Sequence, residues 1–112
     1  MAAPQPAGSA GVPVLRLFQS AVDPADVEEL RSLFLDDVKP AFESVGGCLG
    51  IELIMNTEKN AGGLVEGAAL SRWTTREAMD EGIEARVVAE AQVRIFELLR
   101  QEPVVRVFEV IG

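Results

Sequence analysis

Two stretches of this chain are apolar at both odd and even positions, and that pattern narrows the folds open to it. In Val14–Val22 (VLRLFQSAV), Leu15 and Leu17 alternate with Val14 and Phe18. In Val104–Ile111 (VVRVFEVI), Val105 and Val107 alternate with Val104 and Phe108. Successive side chains of a strand point to opposite faces, so an antiparallel sheet with one wetted face should alternate apolar with polar. These strands do not, and both of their faces need cover. A chain of 112 residues has room for one domain with a thin core. Its apolar share of 48% fits a molecule whose surface partly meets another subunit.

The remaining elements follow from period and punctuation. Asp23-Pro24 supplies a helix start, because Asp caps and proline at the first helical position loses no hydrogen bond. Val27, Leu30, Phe34, Val38, Ala41, Phe42 and Val45 then recur at helical spacing, with Glu28, Glu29, Asp36, Asp37 and Glu43 opposite. Pro40 should bend or interrupt this helix, and Gly46-Gly47 ends it. Cys48–Met55 (CLGIELIM) reads as a second strand, Asn56–Gly63 as a hairpin turn and Leu64–Trp73 as a third strand. Thr74 with Glu77 forms a capping-box pattern for a second helix. Gly82 is its expected break, and the pattern resumes with Val87, Val88, Ala91, Ile95, Leu98 and Leu99 until Pro103. The order β-α-β-β-α-β predicts a ferredoxin-like α+β domain: one four-stranded antiparallel sheet with both helices on the same face. The other face is then bare. Its simplest cover is an identical sheet across a two-fold axis, which predicts a homodimer through the sheet face. Residues 1–12 lack periodicity and are expected to be a disordered tail ahead of a domain at 13–112.

Charge and composition exclude several roles. A net charge of −8 disfavours nucleic acid and anionic membranes, since phosphate contacts need a basic surface. No apolar run approaches the ~20 residues that span a bilayer. The opening MAAPQPAGSAGVP lacks the charge and apolar core of a secretory signal, and Cys48 stands alone, so a reducing, cytoplasmic setting is expected. Gly46, Gly47 and Gly50 lead from a helix into a strand, the reverse of a phosphate-binding loop. The scattered carboxylates make no metal constellation, so neither a metal nor a cofactor is expected.

Three stretches carry a resemblance to a known family. Gly46–Met55 (GGCLGIELIM) resembles the glycine-punctuated second strand of antibiotic-biosynthesis-monooxygenase-type domains. Arg72–Gly82 (RWTTREAMDEG) resembles their third-strand Trp followed by a capped helix, and Val14–Val22 is similar to their first strand. The resemblance spans roughly residues 13 to 112 and implies a dimeric α/β barrel. It further implies one of several activities: cofactor-independent oxygenation of aromatic polyketides, haem degradation or quinol monooxygenation. The haem-degrading branch uses a first-strand Asn, the third-strand Trp and a His on the second helix. Trp73 matches, but the Asn position holds Phe18 and the chain has no His, which removes the usual axial ligand for haem iron. Some polyketide oxygenases rely on a Tyr or His near the substrate, and this chain has no Tyr either.

On that footing Trp73 and Glu52 are the candidate catalytic residues, and Phe18, Phe34, Met79 and Arg94 the candidate substrate-binding ones. Trp73 either stacks on an aromatic substrate or simply packs helix against sheet. Cofactor-free oxygenation needs an ionised substrate, a base and a dry cavity. Glu52 and Glu66, set among apolar neighbours, suit that base if their surroundings raise the pKa; the alternative is an ion pair with Arg16, Arg72 or Arg106. Arg94 either steadies a substrate anion or lies solvated on the helix surface, and Phe18, Phe34, Phe42 and Met79 either line a pocket or fill the core. Asn56 and Asn60 suit a turn, and Cys48, with nothing to activate it, suits an inert thiol. The expected function is a cofactor-independent monooxygenase of a small or polycyclic aromatic phenol or quinol. The alternative is a non-catalytic dimer that binds an apolar small molecule or serves as an accessory protein.

Overall fold

The computed structural model describes residues 11–112. The tail expected at 1–12 therefore lies almost wholly outside the described residues. Strand β1 (Val14–Val22) leads through a 3-10 turn (Pro24–Asp26) into α1 (Val27–Leu33), a π-helical segment (Phe34–Val38) and α2 (Lys39–Glu43). Then come β2 (Cys48–Lys59), β3 (Val65–Trp73), α3 (Arg76–Glu84), α4 (Arg86–Phe96) and β4 (Val104–Glu109). The sheet has the order β2-β3-β1-β4 and is antiparallel throughout, the ferredoxin-like arrangement.

Register assigns every strand residue to a face. Val14 lies opposite Trp73, Arg16 opposite Ser71 and Val107, and Phe18 opposite Ala69 and Val105. Cys48 also lies opposite Trp73, and Ile51 opposite Ser71. This set faces the helices. There Val14, Ile51 and Trp73 join Phe34, Val38, Ala41, Phe42, Met79 and Val88 in one buried cluster. The other parity, Leu15, Leu17, Leu70, Ile54 and Phe108 with Glu52, Arg72 and Arg106, faces away from every helix.

The first helical stretch is not one helix with a bend. Proline has no N–H to donate to the preceding turn, and Pro40 falls at the start of α2. The turn before it widens into the π-helical segment, which sets both Phe34 and Val38 into the core. The second helix also departs from expectation. Thr75, not Thr74, caps it, its Oγ1 accepting from Ala78 N at 3.0 Å. The chain runs helical through Gly82 and breaks at Ala85, whose ψ of 137° is extended. That break turns Val88 inward and leaves Val87 exposed. Helix α4 stops at Phe96, and Leu99 instead bridges to Val22 while Arg100 N donates to Ala21 O at 2.8 Å. Strand β2 runs to Lys59, past the expected Met55, with an irregularity between Met55 and Lys59. Asn60 then holds the turn, its Oδ1 accepting from Gly62 N (2.9 Å) and Leu64 N (3.0 Å).

Two glycines are required by close approach. Gly47, at φ +86°, sits where a side chain would run into Ala78, and its carbonyl accepts from Thr74 N at 2.9 Å. Gly82 lies against the six-membered ring of Trp73, so that a Cβ there would overlap the indole. Gly82 thus serves as the socket of Trp73, not as a helix break. Gly82→Ala should cost about 1–3 kcal/mol, the usual range for overpacking a filled core. Urea denaturation followed by circular dichroism should show a lower midpoint with an unchanged slope, and no loss of stability would refute the socket.

Candidate functional site

The space between sheet and helices is a small apolar cavity of about 50 Å³. Phe18, Leu53, Met55, Gly67 and Ala69 form its floor on the sheet. Leu30 and Phe34 wall it from the first helical stretch, and Ile95 and Leu99 from the second. Its one polar side chain is Ser20, whose hydroxyl already donates to Gln101 O at 2.7 Å. No acid, base or amide points a free polar group into it. The volume suits one or two waters, given roughly 30 Å³ per water in the liquid. A ring enters only if walls such as Met55 or Leu99 move. Beside it, a groove of about 390 Å³ runs between α1 and edge strand β2 and shares Phe34, Leu53 and Met55 with the cavity.

The structure separates the residues that the sequence grouped as a site. Phe18 and Phe34 do line the cavity. Trp73 and Met79 lie in the buried cluster outside its wall. Trp73 is fully buried, donates from Nε1 to Ser71 Oγ at 2.9 Å and meets Phe42 with ring centroids 6.1 Å apart. Glu52 occupies the opposite face of the sheet from Trp73, exposed and in register with Leu70. It lines the groove beside the cavity together with Arg31 and Lys39, and among the described residues it forms no ion pair with any arginine. Glu66, on the same open face, accepts from Asn60 Nδ2 at 3.3 Å. Arg94 is exposed at the helix surface and lies 3.8 Å from Asp37. Burial pushes the Cys48 thiol above its ordinary pKa, a Gly50 carbonyl contact and Lys39 opposing and Glu43 reinforcing that rise. Such a thiol stays protonated at neutral pH and is a poor nucleophile. Among the described residues no group of His, Cys, Asp and Glu side chains suits a metal, and no helix is long and apolar enough to cross a membrane.

Sequence reasoning missed the small residues of the cavity floor. Ala69 makes space by what it lacks, Gly67 leaves room that the Met55 thioether fills, and only their register with Phe18 and Met55 reveals it. No protein-family model matches the sequence, and no curated protein does. Solved structures do match. The Rv0793 protein of Mycobacterium tuberculosis superposes with a TM-score of 0.66 at 23% identity, over 89% of this chain and 96% of that one. A Caulobacter crescentus protein provisionally named an antibiotic biosynthesis monooxygenase gives a TM-score of 0.75 at 16% identity, over 93% and 94% of the two chains. The fold is that of antibiotic-biosynthesis-monooxygenase-type proteins. A Nitrosomonas europaea protein under the same provisional name agrees at TM-score 0.70 and 8% identity, over 90% and 92%. Identities this low leave residue-level kinship with the antibiotic-biosynthesis-monooxygenase type to be argued from this chain's own geometry. That geometry makes Trp73 a packing residue, held by Ser71 and Gly82. Trp73→Phe should leave a void and an unpaired buried hydroxyl, costing about 2–4 kcal/mol. Denaturant unfolding read by circular dichroism should register that loss; a neutral substitution would release Trp73 from its packing role.

Proposed function

We propose that this chain is a cofactor-independent monooxygenase for a small, single-ring phenol or quinol, taken up between sheet and helices. The observation that carries the reading is the cavity: apolar on all sides, at the heart of a monooxygenase-type fold. Molecular oxygen and an aromatic ring both favour such a space. The cavity offers no base, so the substrate must be acidic enough to ionise unaided before it meets oxygen. The small volume favours one ring over fused rings, since each further ring requires more wall to move. Phe18 and Phe34 are the residues placed to touch it. Arg94 is too far out on the surface to serve, Glu52 lines the adjoining groove and not the cavity itself, and Met79 and Trp73 act by fixing the core.

We also infer a homodimer through the open face of the sheet. Leu15, Leu17 and Leu70 form its centre, with Ile54 and Phe108 about half exposed at 46% and 51%. Glu52 and Arg106 stand at opposite edges of one row, Glu52-Leu70-Leu17-Arg106. A self-complementary interface can use such a row, each subunit's acid meeting the other's base. Glu52 fits this role better than that of a general base.

A second reading, a non-catalytic carrier of an apolar molecule, is favoured by the same lack of an acid or base in the cavity. Oxygen uptake separates the two. Wild-type protein, free of added flavin, nicotinamide and metal, should consume oxygen with hydroquinone or catechol substrates. Ala69→Leu, which fills the cavity floor, should lower that rate at least tenfold while leaving the circular dichroism unchanged. Binding of the same compounds without oxygen uptake would establish the carrier instead.

A further inference from the structure

The groove between α1 and edge strand β2 borders the cavity through Phe34, Leu53 and Met55, which line both spaces. Of these walls Met55 is the one most able to move. Its sulfur fills the room that Gly67 leaves, where an added Cβ would run into it. An unbranched thioether changes rotamer at little cost. Turned away from Gly67, it would join a cavity of about 50 Å³ to a groove of about 390 Å³. A ring that enters the cavity by this route leaves its substituents in the groove. The groove's chemistry then selects what the ring carries.

That chemistry is cationic at the rim and apolar within. Arg31, Leu35 and Lys39 recur at every fourth position down the helical wall. The strand wall supplies Ile51, Leu53 and Met55, with Glu52 as the single carboxylate of the lining. Two cations against one acid is a local reversal in a chain of net charge −8. The two cations differ in what they already hold. Lys39 donates from Nζ to Ile51 O at 3.2 Å and pairs with Glu43 at 3.2 Å. Arg31 forms no ion pair among the described residues, with Glu52 or with any other acid. Its neighbours on α1, Glu28 and Glu29, do not line the groove. One uncommitted guanidinium thus shares a recess with an apolar wall. Guanidinium presents a flat fork of donors that matches a carboxylate in two-point contact.

We propose that the groove anchors the carboxylate of a single-ring aromatic acid on Arg31, with the ring directed past Met55 into the cavity. Uptake of a ring by the cavity, proposed above, is the condition for this anchor; what the anchor adds is an acid group on the phenol or quinol. Arg31 sets specificity, since it touches the carboxylate and no reacting atom. Glu52, in the same groove, opposes the anchor by like charge.

Calorimetric titration under nitrogen with 2,5-dihydroxybenzoate, 2,5-dihydroxybenzamide and hydroquinone tests it. The three share a quinol ring and differ in the group at one carbon. The acid should bind about three- to tenfold tighter than the amide, the span expected for a charge-assisted pair at an exposed rim. That preference should shrink as salt rises. Arg31→Met should erase it and leave the amide affinity unchanged, while Arg31→Lys should keep part of it. Glu52→Gln should tighten the acid alone, and Arg94→Met, on the other helical stretch, should leave the preference intact. Binding of hydroquinone and the amide with no preference for the acid would overturn the anchor and leave ring uptake standing. So would a preference that survives Arg31→Met. No binding of any of the three would remove ring uptake itself, and the anchor with it. Arg31 is exposed, so its variants should keep the fold, which circular dichroism checks. The acid-against-amide comparison in the wild-type protein decides in either case.

Discussion

The structure rests on a sheet whose two faces are both apolar while its helices cover only one. On the helix side the cover is complete. Val14, Ile51 and Trp73 meet Phe34, Val38, Phe42 and Val88, and the buried cluster has no unpaired polar side chain of consequence, since Ser71 and Trp73 satisfy each other. On the far side Leu15, Leu17 and Leu70 remain only partly shielded by their neighbours in the sheet. Burying such residues is worth about 25 cal/mol for each Å² of apolar surface removed from water. That gain is open only to association, and a row with an acid at one end and a base at the other suits a second copy of the chain.

The edges of the same sheet are handled differently. Strand β2 is an outer strand, and an outer strand offers unpaired backbone groups to any passing chain. Lys39 reaches across from α2 to donate from Nζ to Ile51 O at 3.2 Å, and Lys39 also pairs with Glu43 at 3.2 Å. One edge carbonyl is thereby occupied and a charge is set beside it. The opposite edge, β4, carries no such lysine among the described residues, and Val105 and Phe108 on it stay about half exposed, at 46% and 51%.

Element order, strand positions and the excess of apolar surface were legible in the sequence, because they follow from periods of two and about three and a half that any strand or helix must obey. The site was not. Parity tells which residues share a face, but it needs a register to say which face is which, and that register comes from long-range pairing of β1 with β3. Lacking it, Glu52 and Trp73 look like neighbours in a pocket when they point to opposite sides of the sheet. Of the three arginines that could pair with Glu52 or Glu66, Arg72 and Arg106 share their face of the sheet and Arg16 faces the helices. The helix details failed for local reasons. A π-helical turn absorbs Pro40 without a kink that sequence would announce, and Gly82 serves a neighbour's ring, which no single-helix pattern can reveal.

A face this apolar does not stay open to water. Sedimentation equilibrium of the purified chain at low micromolar concentration tests it directly. A particle of twice the chain mass is expected, and a Leu17→Asp, Leu70→Asp double variant should sediment at the mass of one chain. A folded wild-type protein that sediments as a single chain at that concentration, stable to dilution, would contradict it.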